Sequence, residues 1–243
     1  MASDYRYAVY FVPGPASRLA GLANNLLGRE SENARRLPQP SLPGCPPARL
    51  EAITDEPRRY GLHATLKPPF YLAPGCTEGD VVEMAGRFAA AWRPFNLSGL
   101  KIKCISSFLA LVPDAPKAGN SARERLRALA DAALTGFDRL RRPPTAGEIA
   151  ERAGRSLSPR QLDYLKRWSY PYVLEDYRFH LTLTGHLRDR EEAGKIKDIF
   201  ADYLAESLPL PLAIDSVCIC RQQITEGRAE AFSVLERFFF ARR

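Results

Sequence analysis

Two segments lying half a chain apart carry the same short pattern, Leu62-His63-Ala64-Thr65-Leu66 and Phe179-His180-Leu181-Thr182-Leu183. Each has the composition of a strand, and strand side chains alternate between faces. His63 and Thr65 therefore point one way, while Leu62, Ala64 and Leu66 point the other. His180 and Thr182 repeat the arrangement. The chain has only three histidines, so the fold must supply two strands that each back an apolar core and show an imidazole and a hydroxyl on the opposite face. The same alternation carries Lys67 onto the face of His63 and Arg178 onto the face of His180.

The rest of the chain alternates strand and helix signals without low-complexity sequence. Tyr5 to Val12 reads as a strand and Ala16 to Leu27 as a helix. Pro38, Pro40, Pro43, Pro46 and Pro47 predict a surface loop, because each fixes φ and removes a donor. Leu62 to Leu66 is a strand stopped at Pro68-Pro69. Gly79 to Trp92 is a helix, Phe95 to Val112 a pair of strands about Ser106-Ser107, and Ser121 to Leu134 a helix. Tyr177 to Leu183 is a strand and Asp189 to Glu206 a helix. Leu212 to Gln222 and Ala229 to Phe240 form a hairpin about Glu226-Gly227. The class is α+β with mostly antiparallel pairing.

Composition removes several alternatives. No run approaches the roughly eighteen uncharged apolar residues of a spanning helix, since Leu208 to Cys220 is broken by Pro209, Pro211 and Asp215. The N-terminus lacks a signal-peptide pattern, so the reading is cytoplasmic and without a membrane partner. Five cysteines, Cys45, Cys76, Cys104, Cys218 and Cys220, show no C-x-x-C spacing and no clustered histidine, which argues against a disulfide framework or a structural zinc. Net charge is +7, which raises the question of a polynucleotide partner. Between Ser121 and Tyr172, eleven basic residues face six acids, and the preferred reading is a solvated helical face.

The paired motifs suit phosphodiester chemistry. One imidazole takes a proton from the attacking water or hydroxyl, and the other gives one to the leaving oxygen. Thr65 and Thr182 would donate to the non-bridging oxygens where charge builds, and Lys67 and Arg178 would contact the phosphate. This division needs no metal or cofactor, and it predicts a bell-shaped rate profile around neutrality.

These motifs resemble those of the 2H phosphoesterase superfamily, which includes bacterial 2′-5′ RNA ligases and cyclic nucleotide phosphodiesterases. The stretches Arg6 to Pro13, Tyr60 to Lys67, Phe108 to Pro113, Tyr170 to Val173 and Arg178 to Gly185 resemble a branch associated with phosphonate metabolism. The resemblance spans nearly the whole chain. It implies one domain over residues 1–243, built of two similar α+β lobes with antiparallel sheets and flanking helices. One His-x-Thr pair from each lobe would face a central cleft. It also implies catalytic roles for His63, Thr65, His180 and Thr182, and a small cyclic or 2′-5′ phosphate ester as substrate.

Other residues stay open. Tyr60, Tyr172 and Tyr177 stack on a base or sugar or belong to the core and rim; Tyr60 is carried with Lys67 and Arg178 as a substrate contact. Gln222 and Gln223 must face opposite ways. Cys218 and Cys220 share a face and read as core, and His186 reads as a surface residue. Thr145 to Trp168 reads as two capped helices resembling a DNA-reading helix-turn-helix. Because it leads into the second histidine strand, it is taken as a helical insertion over about 141–172 that shapes the cleft. An RNA- or other nucleic-acid-binding or RNA-end-ligating protein using this basic region is the alternative function.

Overall fold

A computed structural model describes residues 4–114, 121–153 and 157–242. The chain opens with β1 (Asp4–Phe11), α1 (Arg18–Leu27), α2 (Pro47–Arg58), β2 (Ala64–Phe70) and α3 (Glu78–Ala90). The middle holds β3 (Phe95–Leu97), β4 (Leu100–Ile105), β5 (Phe108–Pro113), α4 (Ser121–Gly136), α5 (Ala146–Ala153) and α6 (Pro159–Trp168). It ends with β6 (Leu181–Thr182), α7 (Arg190–Leu204), β7 (Leu212–Ile214), β8 (Ser216–Thr225), β9 (Arg228–Ala229) and β10 (Ser233–Phe239). The architecture is α+β, and every strand pair is antiparallel.

β1 is central in the sheet β10-β8-β1-β2, with β9 extending β8. Tyr7, Val9 and Phe11 enter the main core with Leu26, Ile53, Phe200 and Ile219. Ala8, Tyr10 and Val12 point the other way, against Cys218, Cys220 and Phe232. Burial on both sides fits a central strand made of β-branched and aromatic residues. A second sheet runs β4-β5-β6, and β3 pairs with β7. The first histidine motif stands on the five-stranded sheet and the second on the three-stranded one, so the two sheets expected to be similar differ in size.

Several boundaries move for physical reasons. β2 continues through Pro68 and Pro69 instead of stopping there, because it is the sheet's outer strand and a missing N–H is tolerated on an edge. The Pro-rich loop gives way at Pro47 to α2, where proline at the first helical position has only an N–H the helix would leave unpaired. Between Phe95 and Pro113 there are three strands, divided at Ser98-Gly99; a Cβ on Gly99 would lie 3.0 Å from the Leu208 carbonyl oxygen. The strand expected over Tyr177 to Leu183 contracts to Leu181–Thr182: only these two residues pair with β5, at Leu111 and Ala110, and beyond them Leu183 and Thr184 both donate to the Leu109 carbonyl.

The segment expected to be an insertion holds two capped helices. Thr145 and Glu148 cap each other at the start of α5, and Ser158 and Gln161 do so at α6. None of α5 is buried, whereas Leu165 and Trp168 of α6 are, and Trp168 packs with Leu134 and Val173. Many cations of this basic region have internal partners: Arg127 pairs with Asp131 and Glu175, Arg141 with Asp138, Arg142 with Glu148, and Arg160 with Asp176. Among the described residues no helix is long and apolar enough to cross a membrane.

Candidate active site

The turn before β2 is shaped for the first histidine. Gly61 has φ of +72°, and a Cβ there would come within 3.0 Å of Ser31 Cα, so glycine alone fits. Ser31 Oγ accepts from Leu62 N at 2.7 Å, and the Gly61 carbonyl accepts from His63 Nδ1 at 2.9 Å. Because a carbonyl can only accept, Nδ1 carries the proton and Nε2 carries the lone pair. Thr65 donates its hydroxyl to that Nε2 at 3.3 Å.

The second motif repeats this. His180 Nδ1 donates to the Arg178 carbonyl at 2.7 Å, again two residues upstream, which turns Nε2 outward. Thr182 sits opposite Ala110 in the β5–β6 ladder. Phe179, just before His180, packs against Phe11 with ring centroids 5.9 Å apart, and Phe11 pairs with Ala64, which lies between His63 and Thr65. One aromatic contact thus sets the two motifs side by side.

An aromatic floor supports His63. Tyr10 stacks on it at 4.0 Å between centroids, and Tyr60 lies at 5.9 Å. Tyr60 and Tyr10 both meet Phe232, at 5.4 and 5.7 Å. Phe108 lies 5.9 Å from His180. These packed rings displace water, and charge is costly there. Burial pushes the His63 pKa down to about 4, against the opposing hydrogen bond to Gly61, and the charges of His180 and Arg29 push the same way. His180 is lowered too, first by burial, with its bond to Arg178 opposing. Arg29 is 2% exposed and donates to the Arg58 carbonyl at 2.7 Å; its Nε and Nη2 have no partner among the described residues.

The remaining expected contacts divide. Tyr60 lies beside His63. Arg178 is exposed, and among the described residues its guanidinium has no hydrogen bond or ion pair, so it is available to an anion. Lys67 does not face the histidine. The β1–β2 register shifts between Val9 and Tyr10, which pair with Lys67 and Thr65, so Leu66 is the extra residue of a bulge. The bulge returns Lys67 to the core side, where it is 1% exposed and donates to the Leu134 carbonyl at 2.9 Å and to Asp138 at 3.1 Å. Tyr172 is exposed and meets Tyr170 edge-on, while Tyr177 is packed against the main core. Gln222 is the glutamine on the histidine side: it pairs with Arg6, on the face of Ala8 and Tyr10.

Sequence reasoning missed Tyr10, Phe232, Phe108 and Arg29. Alternation along β1 would have flagged Tyr10 once β1 was known to pair with β2; Arg29 left no periodic signal. Among the described residues no group of three or more His, Cys, Asp or Glu side chains is placed to hold a metal ion. A depression of about 240 Å³ near Arg18, Leu100 and Asp215 includes neither histidine.

A family model described as "Protein of unknown function (DUF1045)" matches residues 65–230. The chain belongs to the DUF1045 family. The matched span includes Thr65, His180 and Thr182 and begins two residues after His63. Two relatives carry the name Ribose 1,5-bisphosphate phosphokinase PhnN. One, from Janthinobacterium sp. (strain Marseille), is 37% identical over 90% of this chain and 48% of its own length. The other, from Laribacter hongkongensis (strain HLHK9), is 38% identical over 75% of this chain and 40% of its own. This DUF1045 chain therefore spans less than half the length of the curated relatives it matches. Among solved structures it is similar to E. coli LigT complexed with NADP+, at TM-score 0.46 and 14% identity over 99% of this chain and 100% of that one. TT0787 of Thermus thermophilus gives TM-score 0.45 and 15% identity over 97% of each chain.

Proposed function

We propose that the chain is a metal-independent phosphoesterase of the 2H type that opens a cyclic phosphodiester on a ribose phosphate. The observation that carries this reading is the matched pair of imidazoles. Each is fixed through Nδ1 to a carbonyl two residues upstream, each is followed by a threonine, and the charge of one acts on the other.

In the reaction, neutral His63 accepts a proton at Nε2 from water as the water oxygen bonds to phosphorus. The bond from phosphorus to the ring's leaving oxygen breaks, and protonated His180 gives that oxygen its proton. The products are a phosphate monoester and a free hydroxyl, with one water consumed. Exchange of a proton with solvent at each imidazole restores the starting state. His63 is the base because its environment keeps it neutral. Thr65 and Thr182 donate to the non-bridging oxygens as negative charge grows there, and Arg178 adds a cation at the rim.

The relatives' name points to the sugar. A 1,2-cyclic phosphate on ribose 5-phosphate, opened by water at the 2-oxygen, becomes ribose 1,5-bisphosphate, the compound that the relatives' name makes a kinase substrate. This chain shows no phosphate-cradling G-x-x-x-x-G-K-[ST] loop: its one Gly-Lys pair, Gly194-Lys195, is followed by Ile196 and has Asp189 where the first glycine would stand. We therefore assign it the ring-opening step and not the phosphorylation.

The test is phosphorus NMR in excess EDTA with ribose 5-phosphate 1,2-cyclic phosphate and nucleoside 2′,3′-cyclic phosphates, using the wild type, His63→Ala and His180→Ala. The expected result is ring opening by the wild type, with the new monoester on the 1-oxygen of the ribose, and a loss of at least about 10³-fold in each variant. Failure to open any of these rings, or full turnover in either histidine variant, overturns the reading.

A further inference from the structure

The face of β1 that carries Tyr10 also carries Ala8 and Arg6, and Arg6 lies four residues, about 13 Å of strand, from Tyr10. Its partners are unusual for an arginine. Nε donates to Gln222 Oε1 at 2.9 Å, Nη2 donates to the same oxygen, and the guanidinium carbon sits 6.0 Å from the centroid of Phe232. Gln222 is 3% exposed and is itself held, donating through Nε2 to the Glu230 carbonyl at 2.5 Å. Among the side chains described, which begin at Tyr5, no carboxylate lies within salt-bridge reach of Arg6, and its Nη1 has no hydrogen bond.

This contrasts with Arg221, which belongs to the opposite face of the same sheet, pairs with Glu78 at 2.9 Å and covers the Tyr5 ring. A half-buried guanidinium fixed by a neutral amide and an aromatic face presents free N–H groups. Phe232 in turn touches Tyr10 and Tyr60, the rings packed against His63. A continuous aromatic cluster, with Tyr10 and Phe232 buried and Tyr60 partly exposed, therefore joins the imidazole to the Arg6 guanidinium, and the charge of Arg6 is felt at the Tyr10 hydroxyl.

We infer that Arg6, held by Gln222, is a second anion subsite that takes a terminal phosphate monoester on the substrate while the ring phosphate lies at His63 and His180. The inference rests on the proposed ring-opening reaction and adds the class of substrate: a sugar carrying a phosphate at each end, with the sugar passing the partly exposed ring of Tyr60. Cyclic phosphates without the remote monoester would still react, but from a weaker complex.

The experiment has two arms. Calorimetric titration with unreactive ribose 5-phosphate, and with ribose as control, compares the wild type, Arg6→Gln, Arg6→Lys and Arg221→Gln after thermal melts show each is folded. The wild type should bind ribose 5-phosphate at least about tenfold more tightly than ribose, Arg6→Gln should lose that preference, Arg6→Lys should keep part of it, and Arg221→Gln should keep it all. Equal binding by wild type and Arg6→Gln, equal weakening in Arg221→Gln, or no preference for ribose 5-phosphate in the wild type overturns the subsite. The kinetic arm uses ribose 1,2-cyclic phosphate with and without the 5-phosphate. Arg6→Gln should raise KM for the 5-phosphorylated compound alone and leave kcat unchanged; an equal effect on both overturns the subsite. If the wild type opens neither ring, the ring-opening reading fails, and the titration still decides the role of Arg6.

Discussion

At each histidine, one hydrogen bond to the backbone settles which ring nitrogen meets the substrate, and burial settles how readily it is charged. With His63 held near 4 and His180 also below its ordinary value, the free enzyme combines a neutral base with a protonated acid only on the acid side of neutrality. The profile of kcat/KM against pH should be a bell with its lower limb near 4 and its upper limb below about 6.5. That is more acidic than the ordinary histidine value suggests, and an upper limb above 7 would contradict the cited environments. Gly61 is a second sensitive point. Gly61→Ala should cost about 1–2 kcal/mol in backbone strain and, by displacing the carbonyl that orients His63, lower kcat more than its loss of stability explains; denaturant melts beside steady-state rates will separate the two effects. The four candidate residues, His63, Thr65, His180 and Thr182, were legible because alternation and repetition both marked them. Lys67 was misread because a bulge is a backbone event with no signature in alternating polarity, and Arg6 drew no notice because its meaning depends on Gln222, which is more than two hundred residues away in sequence.

Among the elements, β2 does two jobs from its two faces. One face shows His63 and Thr65, and beyond the bulge the other inserts Lys67 beneath α4, where Asp138 also binds Arg141 at 2.8 Å. Arg141 continues to Ser169 Oγ at 2.8 Å and the Arg167 carbonyl at 2.9 Å, so the segment after α6 is tied to the strand that carries His63 through one carboxylate. Burial brings the lysine down to about 8, against the pull of Asp138. Asp138→Ala leaves that ammonium buried and unpaired and should cost about 3–5 kcal/mol by chemical denaturation, whereas Lys67→Met, which leaves Asp138 its arginine, should cost clearly less. Most strands and helices could be read from periodicity and caps. α2 escaped because a proline cluster that signals a loop also makes a good first helical turn, and the strand at His180 was overdrawn because Phe179 and Leu183, on either side of the two-residue ladder with β5, serve core packing.

For the molecule as a whole, acid should act in two stages. His63 ionises near its ordinary value of 6.5 when unfolded and only near 4 when folded, so the unfolded chain binds the extra proton and stability falls as pH drops from 6.5 to 4. Glu192 and Glu148 are held near 2, chiefly by hydrogen bonds from Arg49 and Arg142. Their contribution is present above about 4.5 and is lost as pH falls from there towards 2. Urea midpoints measured from pH 8 to 3 should therefore begin to fall below 6.5, and His63→Leu should shrink the upper stage to the part that His180, also lowered, contributes, while leaving the lower stage. The order of the larger sheet has a further consequence. β1 and its neighbour β8 are separated by roughly two hundred residues of chain, about 10–40 s at ordinary translation speed. Through that interval an apolar strand waits with at least one edge unpaired, so the step most exposed to chaperone dependence during synthesis is the closing of the sheet that carries the first histidine.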